Sequence, residues 1–156
     1  MNAIVDAGQA REMIRCALAT GEAVEVAASG LSMGAAFASG SRLVLKIVRW
    51  GCGDVVVFER DGRWIAHRVL WKCPLPNRSG VACVTKGDGV SGVDRPFVRT
   101  EELVGVVVGV IREKQVIELT HAHNRLKGLW RVARGLMAMC ARKVFPGRAP
   151  RQMDQA

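Results

Sequence analysis

The segment Ser29-Gly30-Leu31-Ser32-Met33 holds the hydroxyl best placed to do chemistry. A run of strand-forming residues, Ala23-Val24-Glu25-Val26-Ala27, leads into this small-residue corner and leaves Ser32 at an exposed strand end. A serine hydroxyl is a weak nucleophile alone, so it needs a base and an oxyanion pocket nearby. Taken in isolation, Ser-Gly-x-Ser is an ordinary turn. Later segments raise it above that: Gly53-Asp54-Val55-Val56-Val57-Phe58, then His67-Arg68-Val69, then Thr85-Lys86-Gly87-Asp88 followed by Asp94.

The elements that must position these residues fall into three parts. Residues 1–21 hold a short helix over 8–20, with Met13, Ile14, Ala17 and Leu18 on one face and Gly21 as its stop. Such a helix is too small to stand alone and is expected to pack on the body. Residues 22–119 read as strands, at 22–28, 42–48, 54–59, 63–70, 81–85 and 103–111. Asp61-Gly62 suits a tight hairpin corner, Pro74 and Pro76 break the chain after Trp71, and the Val/Gly run at 104–111 reads as buried on both faces. Many short strands with few helices predict a mainly β, partly closed architecture.

Residues 120–156 read as a basic amphipathic helix near 122–145 and a short polar tail. Leu126, Leu129, Trp130, Ala133, Leu136, Met137, Cys140 and Val144 recur at helical spacing, and Pro146-Gly147 ends the run. From His121 onward eight Lys/Arg face one acid, a local charge of +7 out of +9, so the body is nearly neutral. Three roles fit this helix. Sealing the β core leads, because the leucines and Trp130 form one stripe. Peripheral contact with an anionic membrane comes next. Nucleic-acid binding is last, for want of interleaved aromatics or a binding motif.

The 156 residues suit one domain with an appendage, and 49% hydrophobic content suits a folded core. Five cysteines, with no Cys-x-x-Cys, exclude a fully paired disulfide framework and favour a reducing, cytoplasmic setting. No stretch reaches the roughly 20 apolar residues of a membrane span, and the first residues do not read as a signal peptide.

Taken in order, S-G-x-S-M, G-D-V-V-V-F, H-R-V, T-K-G-D-x5-D and a following V-G resemble the signal peptidase I and LexA-like serine protease superfamily over residues 22–111. The serine box is similar to the LexA type. The H-R-V segment is similar to signal peptidases of the endoplasmic-reticulum and archaeal type, which pair a serine with a histidine. The resemblance implies Ser32 as nucleophile and His67 as general base, a role suited to histidine's ordinary pKa of about 6.5. It offers two aspartates, Asp94 as the favoured group to orient His67 and Asp88 as organiser of the Lys-Gly-Asp turn. The Ser32 backbone N–H is the natural oxyanion donor, while Ser29 lies one position too far from Ser32 to match the relatives' second donor.

Gly30, Leu31 and Met33 are the expected substrate contacts beside Ser32. Asp54 reads as a turn residue, Lys46 as lying on the wrong strand for a base, and Lys86 as structural. His121 and His123 lack the acidic or cysteine partners that a metal site needs, so neither metal nor cofactor is expected. Ala35 stands where the relatives carry proline, and Gly89 and Val90 where they carry asparagines.

The resemblance therefore implies an endopeptidase that cleaves a peptide or leader segment after small residues, the substrate bound as an added strand. Two alternatives stand beside it. A LexA-like self-cleaving regulator would use the small-residue bond Ala7-Gly8, although few residues precede it for a DNA-binding domain. A non-catalytic descendant would bind peptides only.

Overall fold

The computed structural model describes residues 7–34, 37, 40–74, 80–112 and 115–119, together with residues 126, 129, 130, 133, 134 and 137. Helix α1 covers Ala7–Ala19, within a residue of the predicted bounds. Eight strands follow: β1 (Val24–Ala27), β2 (Arg42–Lys46), β3 (Val55–Arg60), β4 (Arg63–Pro74), β5 (Val81–Lys86), β6 (Val98–Arg99), β7 (Leu103–Arg112) and β8 (Gln115–Glu118). The protein is mainly β, with one antiparallel sheet in the order β1-β2-β7-β3-β4-β5-β6 and β8 added beside β7. The predicted partial closure is not made by strand pairing, because β1 and β6 are opposite edges and do not meet.

Strand β3 shows why the sheet has a core on both faces. Val55 and Val57 join Leu18, Leu43 and Leu45 on one side. Val56 and Phe58 join Val69, Cys83 and Val98 on the other. A strand with neighbours on both edges and both faces can be apolar without alternation, as the Val55–Phe58 run is. The same reasoning holds for β7, as the Val/Gly run predicted.

The β3–β4 hairpin turns at Asp61 and Gly62, both at positive φ (50° and 66°), the geometry that a tight two-residue hairpin requires. Beyond it β4 continues to Pro74, past the predicted end at residue 70. A bulge between Val69 and Trp71 resets the register, and Trp71–Pro74 then pair with β5. Proline is tolerated there because it occupies the last strand position. The two short strands β6 and β8 have no period long enough to be seen in the sequence.

Six residues of the C-terminal stretch are described, and all are helical and exposed. Trp130 is 66% exposed, and Leu126, Leu129 and Met137 also face outward. The expectation that Leu126, Trp130 and Ala133 seal the sheet is therefore corrected: these side chains are not buried against it. The remaining residues of the predicted helix and tail lie outside the described residues. Among the described residues, no helix is long and apolar enough to cross a membrane.

Candidate active site

Ser32 sits in the turn that follows β1, half-buried at the mouth of a groove. The turn is closed by Gly34 N–H donating to the Leu31 carbonyl at 2.9 Å. Met33, 4% exposed, is buried in the core and pins the turn from below.

His67 arrives from β4, where it pairs with Val56 of β3. It is 6% exposed and lies edge-on to Phe58, ring centroids 6.1 Å apart. Its Nδ1 meets Asp94 Oδ2 at 2.7 Å. An ionised carboxylate at that distance accepts, so Nδ1 carries a proton, and in a neutral imidazole Nε2 is then the acceptor. That Nε2 is buried and has no hydrogen-bond partner among the described residues.

Asp94 also accepts from Thr85 Oγ1 at 2.6 Å, onto the same oxygen, while its backbone N–H donates to the Thr85 carbonyl at 2.9 Å. Burial pushes its carboxyl upward, but the bonds from His67 and Thr85, aided by the charges of His67 and Arg60, hold it below the usual aspartate value. Thr85, fully buried on β5, was not singled out in the sequence, and nothing local to Thr-Lys-Gly-Asp marks it as an Asp94 partner. Cys83, two residues before Thr85, is no rival nucleophile: burial pushes its thiol up to about 11.

The Lys-Gly-Asp-Gly turn packs against both the Ser32 backbone carbonyl and the His67 ring. A Cβ on Gly87 would collide with the Ser32 carbonyl and lie 2.9 Å from His67 Nε2. A Cβ on Gly89 would lie 2.8 Å from the Leu31 carbonyl and 3.0 Å from Gly34 N. Only side chains of hydrogen let the two loops approach this closely, and Gly89 N–H seals the contact onto the Ser32 carbonyl at 2.8 Å. Lys86 donates to the Gly87 carbonyl at 3.0 Å, the structural role predicted for it.

Asp88 pairs with Arg68. Its two oxygens take Arg68 Nε at 2.9 Å and Nη2 at 2.7 Å, while Arg68 Nη1 donates to the Gly53 carbonyl at 2.6 Å. A guanidinium fork matches a carboxylate in this way, so Asp88 ties the turn to β4. Asp54 accepts from Gly51 N at 2.8 Å and is the turn residue expected. Lys46 is exposed at the end of β2. Ala35, His121 and His123 lie outside the described residues.

The groove has a volume of about 220 Å³. One rim is the edge strand β1 and its continuation, Val26 to Gly30; the other is Trp64, Ile65 and Ala66 of β4. Strand β5 begins pairing with β4 only at Arg68, so among the described residues this part of β4 has a neighbour on one side alone. Met33, Phe37, Leu43 and Val57 form an apolar floor. Of the three expected substrate contacts, Gly30 and Met33 line the groove. Leu31 is not among the residues lining the groove and is 79% exposed. Ser29, set aside in the sequence, does line it, as do Phe37 and Trp64, which no spacing rule connects to Ser32.

Among the described residues no group of three or more potential metal ligands comes together. No protein-family model matches this chain, and no curated protein matches it.

Proposed function

We propose that this protein is a serine endopeptidase of the signal peptidase type, built on a LexA-like sheet. In this reading Ser32 is the nucleophile, His67 the general base, and Asp94 the group that fixes the imidazole. The observation that carries it is His67: Nδ1 is held by Asp94, and a bare, buried Nε2 faces the Gly87 contact with Ser32. A buried ring nitrogen without a partner among the described residues is costly, and a task as proton acceptor accounts for it in this reading.

The peptide lies along the groove between β1 and β4 as an added strand, with small side chains facing the apolar floor. His67 Nε2 takes the Ser32 hydroxyl proton while Oγ bonds to the scissile carbonyl carbon. The oxyanion that forms is held by backbone N–H groups, the Ser32 N–H being the expected donor. When the C–N bond breaks, the imidazolium returns the proton to the departing amine. A water, deprotonated by His67 in turn, hydrolyses the acyl-serine and frees the enzyme. Among the described residues His67 Nε2 makes no hydrogen bond, and catalytic serine–histidine bonds commonly tighten only in the substrate complex.

Self-cleavage at Ala7-Gly8 is the weaker reading, because both residues belong to helix α1, which would have to unwind to enter the groove as a strand. One assay separates the readings: incubate the protein alone and with alanine-rich leader peptides, and follow products by mass spectrometry. Peptide cleavage supports the endopeptidase, self-cleavage the regulator, and binding without products a non-catalytic descendant.

The outward-facing Trp130, Leu126 and Leu129 amid a local charge of +7 favour peripheral contact with anionic membrane from a cytoplasmic location. Each basic residue near such a surface contributes on the order of 1 kcal/mol, weakened by salt. Reversing Arg131, Arg134 and Arg142 to glutamate then abolishes binding to acidic vesicles and leaves peptide cleavage intact. Unchanged vesicle binding would refute this contact.

A further inference from the structure

Helix α1 contributes nothing to the Ser32–His67–Asp94 constellation, yet it is wired to the groove. Trp64, which lines the rim, is the cross-strand partner of Glu59 in the β3–β4 hairpin. Its indole Nε1–H donates to Glu59 Oε2 at 3.3 Å. The same oxygen takes Arg15 Nη2 of α1 at 2.6 Å, and Arg11 stands 3.9 Å from the other. The Arg15 hydrogen bond, seconded by Trp64, holds the Glu59 carboxyl below its ordinary value.

The helix is not free to drift from this contact. Leu18 is 1% exposed and packs, with Ile14, in the cluster that contains Met33, Phe37, Leu43 and Val57 of the groove floor. Helix, floor and Trp64 rim are therefore one packed unit. An indole tethered at its nitrogen loses the rotamers that would swing it off the rim, so the width of the groove is set from behind.

We propose that the Arg15–Glu59 pair positions Trp64 as the wall that limits side-chain size in the groove, so that helix α1 governs substrate specificity. This rests on the groove being the peptide site. Trp64 is the specificity-determining residue, and Glu59 and Arg15 are positioning residues that act through it. The ligand class that follows is an extended peptide with alanine-sized side chains toward the floor. Branched or aromatic side chains meet the indole.

The test is binding, measured by fluorescence anisotropy on the full chain carrying Ser32→Ala, so that no product forms. The probes are two labelled decapeptides that differ only by Ala or Leu at the floor-facing position. The parent prefers the Ala peptide by about tenfold, the scale of discrimination an apolar pocket supplies. Trp64→Ala brings the two within about twofold by strengthening Leu binding, and Glu59→Ala and Arg15→Ala move the ratio the same way. Glu59→Gln, which still accepts from both partners, keeps most of the preference, a rescue that a merely structural role would not give. Trp64→Phe, closer in volume and without the N–H, checks that effects on folding are not being read.

A ratio unmoved by Trp64→Ala or by Arg15→Ala overturns the proposal, as does failure of the parent to bind either peptide. The protease reading is judged separately, by cleavage of the Ala peptide in the protein with Ser32 intact. Selective binding without cleavage would sink that reading and leave this one standing.

Discussion

Thr85 and His67 converge on a single oxygen of Asp94, Oδ2, at 2.6 and 2.7 Å. Two donors on one carboxylate oxygen fix its rotamer, and that in turn fixes which imidazole nitrogen faces Ser32. The arrangement also has a pH signature. A carboxyl held below its unfolded value stabilises the fold above that value and loses the contribution as pH falls through the folded one. For Asp94 the loss lies below about pH 4, the ordinary aspartate range. Removing one donor with Thr85→Val moves the acid-unfolding midpoint to higher pH, whereas Thr85→Ser leaves it in place. Circular dichroism across the acid range reads the shift, and identical midpoints for both variants would contradict it.

Gly87 lies against both the Ser32 backbone carbonyl and His67 Nε2. Gly87→Ala drives a methyl against the Ser32 carbonyl and His67 Nε2. Peptide cleavage should fall at least a hundredfold, the scale seen when reacting groups shift by about an ångström. The protein stays folded, because the turn rather than the core gives way. Full activity in this variant would mean that the contact is not the reactive one.

Arg68 and Asp88 form a buried, two-pronged ion pair, with side chains 8% and 16% exposed. Removing one partner of such a pair costs about 3–5 kcal/mol. Arg68→Ala should therefore lower the chemical-denaturation free energy by that amount, and a loss below about 1 kcal/mol would show the pair to be incidental.

The identity of the base can be read from the pH dependence of turnover. With His67 as base, kcat/KM rises in a single step and levels off well below the lysine range, because a neutral imidazole accepts the proton. A profile that keeps climbing into that range would point to a lysine such as Lys86 or Lys46.

Much of this frame was legible in the residues, and for identifiable reasons. Helix α1 and the six longer strands are visible because their apolar periods run over several residues and end at Gly, Pro or Asp. Asp61-Gly62 announced its turn because few other pairs adopt positive φ there. The resemblance favoured Asp94 over Asp88 as the group that orients His67; in the structure Asp94 meets His67 and Asp88 takes Arg68. The groove was not legible. Trp64, Phe37 and Ser29 come together only because β4 outruns β5 and leaves an edge facing β1, a matter of strand register rather than composition. Adjacency to Ser32 in sequence likewise does not say which turn residues line the groove, as Gly30 and Met33 do and Leu31 does not. The C-terminal stripe was read as a lid on the sheet, but periodicity reveals an apolar face without revealing what covers it.

The central claim is that Ser32 and His67 act as one catalytic unit, and a double-mutant cycle on kcat/KM for an alanine-rich leader peptide tests it most directly. Ser32→Ala and His67→Ala should each lower kcat/KM on the order of a thousandfold or more, and the double variant should be little worse than either. Circular dichroism at neutral pH should show all three folded, with His67→Ala less stable because it removes a buried ring and one donor to Asp94. Full activity in Ser32→Ala, or losses that multiply in the double variant, would contradict the account.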